Sequence, residues 1–201
     1  MDQTREQRAY SFEVRAAEDQ EHGTYITGTP IVFGQETDLG WYSERISPEA
    51  IQPAALKDVL FLVGHNDRGL PLARSRNNND HSTMQLRITE QGVDIRVDLD
   101  AAHNPEAAAL YSAAGRGDIP GMSFAFAVDA DRWEDLDTDH PRRTILSIRR
   151  VFEVSAVCFP AYGGTDIQAA SDGAGLESAR TSLESARARL AEERAQQQAA
   201  D

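Results

Sequence analysis

The chain holds 201 residues, 40% of them hydrophobic, with a net charge of -13, enough for one well-filled domain with room for an appendage. Such an acidic chain repels phosphate, which argues against a nucleic-acid or anionic-membrane surface as its main partner. One cysteine, Cys158, excludes an intrachain disulfide framework and fits a reducing compartment. No apolar run approaches a membrane span and the first residues lack a signal-peptide core, so the expectation is a soluble intracellular protein.

Two strand-like runs, Tyr10 to Ala16 and Tyr25 to Phe33, flank the polar stretch Glu18-Asp19-Gln20-Glu21-His22-Gly23 and predict a hairpin. Ser47-Pro48-Glu49 carries a cap residue followed by proline, the signature of a short helix that Pro53 limits or kinks. Val59-Leu60-Phe61-Leu62-Val63 is continuously apolar, as a strand buried on both faces would be, and delivers Gly64-His65-Asn66-Asp67 at its end. Met84, Leu86 and Ile88 alternate, as do Val93, Ile95, Val97 and Leu99, forming the clearest hairpin in the sequence across Glu90-Gln91-Gly92. Asn104-Pro105-Glu106 starts an alanine-rich helix to about Ala114, which Gly115 and Gly117 stop.

Residues 121–128 then read as a strand with unlike faces: Met122, Phe124, Phe126 and Val128 on one, Ser123, Ala125 and Ala127 on the other. The small face leaves room beside the Ser123 hydroxyl. Thr144 to Ile148 and Val151 to Phe159 follow as two strands, the second carrying Glu153 on a face shared with Val151, Ser155 and Val157. From Ile167 the composition turns to Ala, Ser, Gly, Gln, Glu and Arg, a flexible linker over Gln168 to Gly175. Leu176, Leu183 and Leu190 then recur every seventh residue with Ala179 and Ala186 between them. That stripe is too thin for a coiled coil by itself and reads as a frayed or partner-dependent helix.

Three residues can carry chemistry. His65 is either a general base, since imidazole titrates near neutrality, or a strand-end cap bonded to backbone. Ser123 is either a nucleophile or an ordinary strand serine, with no Gly-x-Ser-x-Gly elbow around it. Glu153 either faces solvent and pairs with Arg149 or Arg150, or takes the second imidazole proton of His65; the two readings differ in burial. His65, Asp67, Asp80, His81 and His103 are conceivable metal ligands without a recognised spacing. Cys158, between Val157 and Phe159, reads as a small buried hydrophobe.

Taken in order, several stretches resemble the prohead, or procapsid maturation, serine proteases of tailed bacteriophages, relatives of herpesvirus assemblin. They are Gly28-Thr29-Pro30-Ile31-Val32-Phe33-Gly34, Glu44-Arg45-Ile46-Ser47-Pro48-Glu49-Ala50, Gly64-His65-Asn66-Asp67 with Pro71-Leu72-Ala73-Arg74, Gly121-Met122-Ser123-Phe124-Ala125-Phe126, and Glu153 through Tyr162. The resemblance runs from about Tyr25 to Asp166. It implies an α+β, mainly β fold, an assemblin-like β-barrel with peripheral helices and a C-terminal helical tail. It divides the chain into a catalytic domain (1–166), a linker (167–175) and a tail (176–201) that directs the protein into the procapsid and is lost by self-cleavage. It implies a serine endopeptidase without cofactor or metal, with His65 as base and Ser123 as nucleophile; assemblins place a second histidine as third member, no histidine stands in the closing strand here, and Glu153 is the acidic residue placed to serve instead. Major capsid protein and scaffold protein are the implied substrates, a homodimer the implied assembly, and the procapsid inside the host bacterial cytoplasm the implied location. A non-catalytic scaffold on the same fold and a metal-dependent hydrolase using His65, Asp67 and His81 are the competing readings.

Overall fold

The computed structural model describes residues 4–11, 14–20, 23–158 and 173–200. The described strands are β1 (Glu6–Ser11), β2 (Arg15–Asp19), β3 (Gly23–Val32), β4 (Thr37–Asp38), β5 (Ser43–Ile46), β6 (Asp58–Val63), β7 (Ala73–Arg76), β8 (Met84–Ile88), β9 (Gly92–Asp98), β10 (Gly121–Glu134) and β11 (Arg142–Val157). A 3-10 helix covers Pro53–Leu56, and two α-helices, α1 (Pro105–Arg116) and α2 (Gly173–Ala200), complete them. The fold is mainly β, with the helices at the periphery. Its strands pair in two sheets, and no closed ring of strands forms among the described residues.

The smaller sheet runs β2-β3-β9-β8, all antiparallel. Its β8–β9 hairpin follows from the alternation of Met84 and Leu86 with Val93, Ile95 and Val97, all buried. Gly92 is required there, because a Cβ would stand 2.0 Å from the Ile31 carbonyl oxygen. The larger sheet runs β1-β10-β11-β5-β4, with β6 pairing parallel to β11 and β7 pairing with β6. One core lies between the sheets, with Ile26, Val93 and Val97 from the smaller meeting Phe61, Met122, Phe124, Phe126 and Val154 from the larger. Ala107, Leu110 and Ala114 of α1 join it. Asn104 caps α1 by accepting from the Glu106 and Ala107 amides, and Gly117 closes it in the left-handed region at φ 79°.

Four local expectations change. The run from Tyr10 breaks, so that β1 joins the larger sheet while β2 makes the hairpin with β3. Ser47-Pro48-Glu49-Ala50 is a turn, closed by the Ala50 amide on the Ser47 carbonyl at 2.9 Å, and the proline that starts a helix is Pro53. The two strands expected after Thr144 are one, β11, whose partner β10 keeps pace through bulges. One bulge makes Phe152 the extra residue between the pairs Ala125↔Glu153 and Phe126↔Val151. It therefore sends Val151 into the core with Phe126 and Glu153 to the opposite face, where the plain alternation had put both together.

The tail also differs from expectation. Residues 168–172 of the expected linker lie outside the described residues, and Gly173 to Gly175 already belong to α2. The helix finds its partner in its own chain: Ala179 and Leu183 are buried against Leu39, Tyr42 and Trp133, with Leu176 and Ala186 beside them. Burying one leucine contributes roughly 1.5–3 kcal/mol. Ser182 donates to Asp131 at 2.7 Å and accepts from the Trp133 indole at 3.1 Å, and Arg194 pairs with Asp137 at 2.7 Å.

Candidate active site

β6, fixed in the sheet between β11 and β7, ends at Val63 and turns sharply at Gly64 and His65, whose φ angles are 58° and 60°. A non-glycine residue in that region is strained unless its surroundings hold it. They do: the Gly64 amide donates to the Ala156 carbonyl at 2.9 Å and the His65 amide to the Ser155 hydroxyl at 3.2 Å. The turn aims the imidazole at Glu153, with Nδ1 2.8 Å from Oε1.

Glu153 is 1% exposed and fully engaged. Its Oε1 also accepts from Arg5 at 3.3 Å, and its Oε2 accepts from the Ser155 hydroxyl at 2.5 Å. A carboxylate so enclosed needs these partners. With Nδ1–H donating to the carboxylate, the imidazole presents Nε2 as its acceptor, and the side chain of His65 remains 25% exposed.

Ser123 lies two ladder rungs from Glu153. It faces Ser155 across the β10–β11 pair, while Ala125 faces Glu153, so both serines and the carboxylate share one face. Its hydroxyl is not bonded to His65; it donates to the Arg8 carbonyl at 2.8 Å, and the residue is 1% exposed. The structure thus joins His65 to Glu153 directly and sets Ser123 beside them under β1.

Of the remaining candidates, Asp67 stays beside the site, its carboxylate 3.8 Å from Arg5 and its amide donating to the His65 carbonyl at 2.9 Å. Cys158 is exposed, one residue beyond the end of β11, where it has left the sheet that would have buried it. His103 pairs with Asp100 on an exposed turn. Among the described residues no three His, Cys, Asp or Glu side chains converge into a metal-holding group.

Sequence reading passed over Ser155 as a ligand of Glu153, although its place two residues along the same strand face was visible. It also passed over a buried charge cluster beside β1. Arg8 is 2% exposed, donates to both oxygens of Glu44 at 2.6 and 2.8 Å, and reaches Glu6 at 2.8 Å. Arg143, 1% exposed, bridges Glu6, Glu44 and Asp131. Burial pushes the Glu6 carboxyl up, but Arg143 and Arg8 outweigh it and hold the group below its ordinary value. Burial likewise drives the Tyr42 phenol beside the cluster well up. Alternating charges near a terminus read as a solvated strand; only the distant partners Glu44 and Arg143 make them interior.

The model of the caudovirus prohead serine protease family matches residues 10–178, spanning β2 through β11 and the first turns of α2. The chain belongs to that family, and this makes it a serine peptidase of phage capsid maturation. No curated protein and no solved structure matched the chain.

Proposed function

We propose that the protein is a serine endopeptidase that cleaves the scaffold protein and the N-terminal leader of the major capsid protein inside the procapsid, and then itself. The observation that carries the reading is the buried Glu153 carboxylate on Nδ1 of His65, with Ser123 on the same sheet face two rungs away. In this reading His65 Nε2 takes the Ser123 proton as Oγ attacks a peptide carbonyl, then returns it to the leaving amine as the acyl-enzyme forms. Water, deprotonated by the same imidazole, attacks the acyl carbonyl, and the imidazolium returns the proton to Ser123 Oγ as the ester bond breaks. Glu153 orients the ring and stabilises the imidazolium. The catalytic domain comprises residues 1–166, and the tail from residue 176 targets the protein to the procapsid until self-cleavage in the linker removes it. The active form is a homodimer within the procapsid in the host cytoplasm.

Intact mass over time tests this, with the wild type and Ser123→Ala each incubated with capsid and scaffold proteins. Cleavage of partner or self by the wild type alone is the expected result. Equal cleavage by both variants would remove Ser123 from its role. The scaffold reading draws on one observation, the occlusion of Ser123 under β1; both chains would then stay whole.

A further inference from the structure

A nucleophile that is 1% exposed and whose hydroxyl donates to a backbone carbonyl cannot meet a peptide bond, so the group that holds the Ser123 hydroxyl has to move before the proposed reaction starts. That group is β1. It is the outermost strand beside β10 and pairs with it in unbroken antiparallel register, from Glu6↔Phe126 to Ser11↔Gly121. Without β1, β10 is an edge strand whose free amides and carbonyls form a template for another extended chain.

We propose that β1 is a displaceable cover on the substrate edge of β10, and that an extended segment of the substrate polypeptide replaces it by adding to β10 as an antiparallel strand. The inference rests on the serine endopeptidase reading above. Three observations support it. The Arg8 carbonyl lies 2.8 Å from Ser123 Oγ, so a peptide in the same register brings its own carbonyl to the nucleophile. Ala9, opposite Ser123, supplies only a methyl group there, and Arg5 of the same segment reaches Glu153 at 3.3 Å, so the segment spans the whole site.

The third observation is that β1 can leave without stranding a lone charge. Departure breaks the bonds of Arg8 to Glu44 and of Arg143 to Glu6, but Glu6 and Arg8 stay bonded to each other and Arg143 keeps Glu44 at 3.0 Å and Asp131 at 2.7 Å. Removing one member of a buried ion pair is what costs most. α2 holds the cover through the Ser178 hydroxyl, which donates to Glu6 at 3.1 Å, so loss of the tail removes one tie on β1.

The test uses the full chain in two measurements. Hydrogen exchange on the wild type should show the amides of β1 and of the facing edge of β10 opening together at least about tenfold faster than those of β3 and β9. A full-length Gln7→Cys/Ala125→Cys/Cys158→Ser chain, placing the new thiols on a paired rung, should on oxidation slow that exchange and stop cleavage of scaffold protein, with reductant restoring both. Exchange of β1 in step with β3 and β9 in the wild type would overturn the proposal, as would equal cleavage by the oxidised and reduced chains. Exchange is read without any cleavage, so a chain that opens β1 yet cuts nothing counts against the protease reading and for the cover. A chain that cleaves with β1 locked counts against the cover alone.

Discussion

The Ser155 hydroxyl sits at the centre of the site's polar contacts, donating to Glu153 and accepting from the His65 amide. It ties the strained turn to the carboxylate that orients the ring, so it acts as a positioning residue through both. Ser155→Ala deprives a buried oxygen of its donor, a loss of about 1–3 kcal/mol in stability. The same change lets the imidazole wander, and kcat/KM is expected to fall about tenfold or more, since ~1.4 kcal/mol is a factor of ten. Ser155→Thr, which keeps the hydroxyl, should recover most of that rate. Chemical denaturation and cleavage kinetics on the three chains decide it: equal activity of Ser155→Ala and wild type would remove Ser155 from the site.

Among the elements, β1 carries a pH dependence through Glu6. Its carboxyl holds a proton less tightly in the folded chain than the ordinary value of 4.5, so the unfolded chain binds more protons on acidification. The stability it contributes is therefore present above pH 4.5 and is lost as the pH falls through the lower folded value. Glu6→Gln, which weakens bonds to Arg8 and Arg143 while Glu44 and Asp131 still compensate both arginines, is expected to cost about 1–3 kcal/mol near neutrality. That gap should narrow below pH 4.5 in denaturation curves of the two chains; a gap constant across that range would contradict the assignment. Elements with a single strong period were legible in the sequence: the β8–β9 hairpin, the capped helix α1, and the Ser123 strand with its large and small faces. What escaped was set by partners far along the chain. Neither the charges of β1 nor the bulge at Phe152 leaves a periodic mark, and the leucine stripe of α2 marked a face to be covered without showing that Trp133 and Tyr42 cover it.

At the scale of the molecule, the two sheets provide a rigid frame in which parallel pairing of β6 with β11 sets His65 beside Glu153 and antiparallel pairing of β10 with β11 sets Ser123 beside Ser155. The catalytic candidates were legible as residue types at strand positions and through their family resemblance; that Ser123 faces Ser155 across the ladder and that His65 meets Glu153 are set by strand pairings that only the folded sheet displays. The N- and C-terminal elements then meet at the edge of that frame, β1 against Ser123 and α2 against β1. The central claim is that Ser123 is a nucleophile activated by His65. Its most direct measurement is reaction of the full-length protein with a serine-directed fluorophosphonate, with the adduct located by peptide mass in the wild type and in His65→Ala. The account predicts one adduct, on Ser123, that His65→Ala fails to form; an adduct on another serine, or one on Ser123 that forms equally fast without His65, would contradict it.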